Sequence, residues 1–184
     1  MLNLRKLIFT ILCLSLYSCG FQVIYKEREN KTDLSYVNEL AAVRIKKNRT
    51  LLDQELKNNL YDLLNPEYLK VEPKYFLTLS ISKVISPTFI TITGSSGRNK
   101  VTLDITYQLQ SLETGELISS GSTSVNDNYD VTTNRYGTYT ADEYVQINLA
   151  KTAAQNIRNY LVNDFIEERK RIEKEKEKKT DKKN

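Results

Sequence analysis

The sequence predicts an α+β fold: a two-layer sandwich in which a mostly antiparallel four-stranded sheet carries two helices on one face. Three patterns lead there. Val101, Leu103, Ile105, Tyr107 and Leu109 alternate with Thr102, Asp104, Thr106, Gln108 and Gln110, the period of a strand with one buried face. Leu52, Leu56, Leu60 and Leu63 recur at spacings of four, four and three, the period of a helix. Ile147, Ala150, Ala154, Ile157, Leu161 and Phe165 repeat that helical period near the C-terminus, with small alanines that let the helix lie close to a sheet.

In chain order, residues 39–45 read as a short first strand. Asn48 or Thr50 then caps a helix over about 51–64, which Asn65-Pro66 ends, because proline disfavours helical geometry in the residue before it. Residues 75–85 alternate as a strand. Pro87 interrupts it, as an edge position or bulge would, and β-branched character resumes over 89–93. The glycines of 94–97 signal a turn into the strand described above. Glu113-Thr-Gly115 forms a hairpin turn into a fourth strand over about 116–126, and the closing helix runs from about 140 to 165. Strand, helix, three strands and helix is most simply an antiparallel meander covered by two helices.

The N-terminal residues have another character. Arg5 and Lys6 precede an apolar run over 7–16, and small Ser18 precedes Cys19, the plan of a secretory signal peptide. The run is shorter than the roughly 20 apolar residues of a membrane-spanning helix. Leu16-Tyr-Ser-Cys19 resembles a bacterial lipobox, in which the chain is cleaved just before the cysteine and the cysteine is acylated. Gly20 after that cysteine, rather than aspartate, favours outer-membrane delivery in such proteins. The expected organisation is a signal peptide over 1–18, a lipidated tether over 19–33, a domain over 34–166 and a charged tail over 167–184. Acyl chains on Cys19 would form the membrane anchor, since stable attachment takes more than one chain or signal. With Cys13 lost in the signal segment, no internal disulfide is possible.

The 27 basic and 23 acidic residues give a formal charge of +4, but Arg5 and Lys6 belong to the leader and the tail is dense in lysine. The domain body is close to neutral and lacks the basic face of a nucleic-acid binder, so no nucleic-acid partner is expected. The chain has no histidine. With Cys19 acylated there is no free thiol either, which removes Ser-His-Asp and Cys-His catalysis and zinc sites built from these ligands. No metal, cofactor or enzymatic activity is expected. The tail, rich in alternating charges, reads as solvated and frayed, or as extending the helix by a turn or two; contact with anionic headgroups or a partner is the alternative.

Several segments together resemble the lipopolysaccharide-assembly lipoprotein LptE family in its alphaproteobacterial form. They are Cys19-Gly-Phe21 with Tyr25, Leu40-Ala-Ala-Val-Arg-Ile45 followed by Leu51-Leu-Asp-Gln-Glu-Leu56, and Thr123-Ser-Val-Asn-Asp-Asn-Tyr129. Tyr139-Thr-Ala-Asp-Glu-Tyr-Val145 and Ala150-Lys-Thr-Ala-Ala-Gln-Asn-Ile157 complete the set. The resemblance covers about 19–165. It implies a non-enzymatic plug inside a large outer-membrane β-barrel, an LptD-like lipopolysaccharide-assembly protein, which the plug helps to form. It also implies binding of lipopolysaccharide on its way to the outer leaflet. The Ser/Thr/Tyr-rich sheet suits a polar barrel interior.

On that reading, Arg98 and Lys100, placed at a glycine-flexible tip, are the expected lipopolysaccharide-binding residues, because guanidinium and ammonium groups pair with phosphates. Tyr129, Arg135, Tyr136 and Tyr139 are the expected barrel-contacting residues, since aromatic and arginine side chains anchor interfaces. An accessory outer-membrane lipoprotein of another lipid-trafficking system is the alternative. A carboxylate hydrolase would need residues such as Asp104 and Asp142 to converge in a cleft.

Overall fold

Thr50 shows how local chemistry starts the helical layer. Its hydroxyl accepts from the Asp53 amide at 3.1 Å while the Asp53 carboxylate accepts from the Thr50 amide at 3.2 Å, a reciprocal capping box. The computed structural model describes residues 31–46, 50–90, 92 and 94–181, with side chains described from Tyr36 to Ile172 and at Lys174. The expected signal segment, Cys19, the tether to residue 30 and Asn48 lie outside the described residues.

Among the described residues, seven elements follow one another: α1 (Lys31–Ala41), β1 (Val43–Ile45), α2 (Leu51–Leu64), β2 (Tyr75–Ile90), β3 (Ser96–Ser111), β4 (Leu117–Asp130) and α3 (Arg135–Asp181). The residues from Ser35 onward form one compact unit. The sheet order is β1-β2-β3-β4, antiparallel throughout β2, β3 and β4. β1 is parallel to β2, so the sheet is mixed, and α2 is the crossover that a parallel pair requires.

Residues 39–45, expected as a strand, divide differently. Glu39 to Ala41 end α1, and only Val43–Ile45 pair with β2. The helical signal was present at Leu34, Val37, Leu40 and Ala41, spaced three, three and one, and it takes the chain to Ala41, leaving only the β-branched Val43 and Ile45 with their neighbour Arg44 to form β1. α2 has the expected bounds, but its core stripe is Leu56, Leu60 and Leu64, with Leu52 and Leu63 half-buried. Its Tyr61 hydroxyl accepts from the Ile45 amide at 3.1 Å, fastening helix to strand.

β2 is continuous from Tyr75 to Ile90, where the sequence suggested an interruption. The bulge expected at Pro87 is present as register shifts between Pro87 and Ile90. Among the described residues β1 pairs with β2 only at Tyr75, Phe76 and Leu77, which leaves Pro87 at an edge position, where a missing amide is tolerated. α3 starts at Arg135, five residues earlier than its periodicity indicated. The Asn134 side-chain carbonyl accepts from the amides of Tyr136 at 3.0 Å and Gly137 at 3.4 Å, making Asn134 its N-cap. The helix continues to Asp181.

The core lies between the inward sheet face and the helices. Leu77, Val101, Leu103, Ile105 and Leu109 meet Leu60, Ala150, Ala153, Ala154, Ile157 and Leu161, all buried. A line of polar contacts crosses the seam between α3 and β4. Asn156 donates to the Thr123 hydroxyl at 3.1 Å. The Asp164 carboxylate accepts from the Ser119 hydroxyl and, at 3.3 Å, from the Tyr107 hydroxyl. Burial first, and then the Asp164 charge, push the Tyr107 phenol above its ordinary range, so it stays a neutral donor. At the end where β2 begins, Arg169 pairs with Glu39 at 2.6 Å and lies 4.0 Å from the Tyr36 ring centre, joining α1 to α3.

Candidate functional site: the hydroxyl-rich sheet face and its charged end

Strand register decides what the uncovered side of the sheet presents. Pairings across β2, β3 and β4 align Ser80 with Thr106 and Ser122, Ser82 with Asp104 and Ser124, and Thr78 with Gln108 and Ser120. Paired residues point the same way, and residues two apart share a face. The outward face is therefore rows of serine, threonine and amide side chains, continued by the pair Thr102 and Asn126. Asp104 and Lys100 are its charges in the middle rows. No helix among the described residues covers it: α3 bonds to Thr123, Ser119 and Tyr107, all of inward parity. Ser80, Ser82, Thr106, Gln108, Ser120, Ser122 and Ser124 are exposed.

Threonine suits such a strand surface, whereas the many serines lack the branching that strands favour. The face offers hydroxyl donors and acceptors at every row with little charge. It has no enclosed cleft and no metal-binding cluster among the described residues. Asp104 lies on this face and Asp142 on α3 across the sheet, where it accepts from Gln146 at 2.8 Å. The two carboxylates do not converge.

Arg98 and Lys100 lie within β3, which begins at Ser96, rather than in the turn itself. They are two apart, so both project from the outward face, opposite Asp130 and Asn128. Arg98 Nε donates to Asp130 at 2.7 Å, with both side chains more than half exposed. That bond and its charge hold the Asp130 carboxyl below the ordinary carboxylate range and raise the Arg98 guanidinium. Lys100 is half-buried between Ser86 and Asn128.

The four expected interface residues separate into two groups. Tyr129 is turned into the domain, 9 % exposed, with its hydroxyl accepting from Asn99 Nδ2 at 3.1 Å. Its parity with Val125 was the sequence signal for burial. Arg135, Tyr136 and Tyr139 lie on the first turns of α3 and are exposed. They stand at the end of the domain where the β2–β3 hairpin turns, since the Val131 amide just before them donates to the Gly97 carbonyl at 3.0 Å. The structure thus brings Arg98, Lys100, Arg135, Tyr136 and Tyr139 to one end. Sequence reasoning found the sheet rich in serine, threonine and tyrosine, but the continuity of the hydroxyl face between them and the other end exists only once register is set.

No family model matches the chain. It is 27 % identical to the uncharacterised protein RP188 of Rickettsia prowazekii over 160 residues, 87 % of this chain and 97 % of that protein. Among solved structures it resembles a lipoprotein candidate from Caulobacter crescentus CB15, with TM-score 0.58 and 19 % identity over 71 % of this chain and 95 % of that one. The rare lipoprotein B of Shewanella oneidensis superposes with TM-score 0.53 and 13 % identity, over 68 % and 95 % of the two chains. A minor lipoprotein of Acinetobacter baumannii gives TM-score 0.52 and 13 % identity, over 66 % and 89 %. The chain has the fold of these lipoproteins. The likeness supports the predicted α+β sandwich, with a mixed rather than purely antiparallel sheet.

Proposed function

We propose that this protein is an outer-membrane lipoprotein of the LptE type, which plugs and helps assemble a β-barrel lipopolysaccharide translocon and binds lipopolysaccharide during insertion into the outer leaflet. The observation that carries the reading is the outward sheet face. That face presents hydroxyl and amide groups row after row with few charges, and the lumen of a large barrel is polar and would hydrogen-bond it row by row. The shared fold with bacterial lipoproteins and the lipobox-like Leu16-Tyr-Ser-Cys19 support the same reading.

Dimensions agree. β3 has 16 residues, which at strand rise makes about 50 Å, longer than the roughly 30 Å hydrocarbon core. A plug of this length reaches from one side of a barrel to the other. The end bearing Arg98 and Lys100 would then meet phosphates of lipopolysaccharide, with Arg135, Tyr136 and Tyr139 against the barrel wall. Tyr129 supports that end from inside by packing.

Replacing Arg98 and Lys100 together with serine is expected to weaken lipopolysaccharide binding roughly tenfold, since hydrogen bonds to charged groups contribute about 1.5–3 kcal/mol in water. Thermal stability should stay near that of the parent, because both residues are surface-facing on a strand whose core face is untouched. Binding of purified lipopolysaccharide by the doubly substituted full chain, measured beside its melting curve, checks this. Equal affinity in both proteins removes the two residues from the site. Capture of the full chain from detergent-extracted envelopes distinguishes the barrel reading from an accessory lipoprotein of another lipid-trafficking system. A near-stoichiometric β-barrel partner is expected for the first, and periplasmic carriers or inner-membrane transporters for the second.

A further inference from the structure

The end of the β2–β3 hairpin has a property that neither plugging nor phosphate binding requires. Residues 84–97 contain no charged side chain, and cations bracket them: Lys83 before, Arg98 and Lys100 after. Within this stretch Val84, Ile85, Phe89, Ile90 and Ile92 are exposed, at 52, 42, 60, 60 and 108 %. They do not form one docking face. Val84 pairs with Thr102 on the outward side and Ile85 with Val101 on the inward side, while Phe89, Ile90 and Ile92 follow the bulge and the turn. Ile85 is exposed although it has the inward parity of its strand, and among the described residues β2 pairs with β1 only as far as Leu77 along its other edge.

Apolar groups on both faces and around the turn need an apolar medium on all sides, which a flat protein partner does not supply. A bilayer does. Exposed apolar strand ends with a free edge also favour aggregation in water, so such an end is costly to a protein that keeps it there. The collar fits the same medium: lysine and arginine stems lie along apolar chains while their heads reach headgroups, and tyrosines prefer that boundary. Tyr136 and Tyr139 stand beside the collar, both more than 60 % exposed.

We propose that the uncharged hairpin end, at its described residues 84–90, 92 and 94–97, enters the acyl region of an anionic lipid layer, with Lys83, Arg98 and Lys100 held at its headgroups. This is a second lipid contact, separate from the acyl anchor expected at Cys19, and it stands whether or not the sheet face meets a barrel.

The chain has no tryptophan, so one introduced at the tip reports that environment alone. The full chain carrying Ile92→Trp is reconstituted into phosphatidylethanolamine–phosphatidylglycerol vesicles, with and without bromine on the acyl chains. Leu117→Trp, exposed at the opposite end of the sheet, serves as the reference. Phe89→Trp repeats the measurement with an aromatic already in place. The expected result is a blue shift for both tip probes and about twofold quenching by brominated chains, with the reference unshifted and unquenched. Water-like emission at the tip overturns the proposal. A blue shift without acyl-bromine quenching also overturns it, because the tip then lies against protein. Loss of a barrel partner in envelope capture leaves this result unaffected, so the two readings fail separately.

Discussion

Leu161→Ala is expected to destabilise the domain by about 2–5 kcal/mol, the range for removing a fully buried leucine and leaving a cavity. Leu161 is 0 % exposed on α3, four residues after Ile157, also 0 %, where the helix lies on the inward sheet face. Relaxation into the gap is limited on both sides. Tyr160, its neighbour in the chain, stacks at 6.3 Å on Tyr107, and Asp164, three residues on, is held by Ser119 and Tyr107. These contacts fix the helix against the strands, so the cavity stays open and the cost should fall in the upper half of the range. Chemical denaturation with the slope compared between variants measures it. A loss below about 1 kcal/mol would mean that α3 does not close the core, since only surface substitutions typically cost so little.

Gly121→Ala is expected to cost about 1–3 kcal/mol, the usual penalty of overpacking, although it adds one methyl to a polar strand. A Cβ at Gly121 would lie 2.7, 2.8 and 2.9 Å from the Oη, Cε1 and Cζ atoms of Tyr107. A tyrosine ring is often free to swing aside, but this one is 4 % exposed, bonded to Asp164 and stacked on Tyr160. Moving it breaks both contacts and leaves the half-buried Asp164 carboxylate with one donor fewer. The pairing of Tyr107 with Gly121 across β3 and β4 explains why glycine stands there: the ring crosses above the β4 backbone. Combining Gly121→Ala with Tyr107→Leu tests the mechanism, because the double substitution should cost less than the sum of the two single ones. Strict additivity would show that the methyl and the ring do not meet.

How much of this was legible in the sequence depends on the kind of signal. The middle of β3 was readable because Val101 to Leu109 alternate without exception, although the strand starts earlier, at Ser96, and α2 was readable because its capping residue and Asn65-Pro66 mark both ends. α1 was hidden: its apolar residues at 34, 37, 40 and 41 stand beside the β-branched Val43 and Ile45, and the local pattern suits either period. The early start of α3 rests on Asn134, a cap followed by glycine and threonines that weaken helical propensity. Arg98 and Lys100 were visible as cations beside glycines, but their common face needed the strand to begin at Ser96. β4 was the least legible element. Serine, threonine and glycine fill both of its faces, so only Val125 fixed its parity, and with it the inward side of Tyr129. The hydroxyl face is a property of three strands in register, and no single strand displays it.

Cross-linking from Thr106 tests the central claim most directly. Thr106 stands in the exposed row between Ser80 and Ser122, at the centre of the outward face, with no core contact to lose. A photoreactive residue placed there in the full chain, irradiated in living cells, should join it to a large outer-membrane β-barrel. An adduct with a soluble periplasmic protein alone, or no adduct at all, would contradict the plug reading.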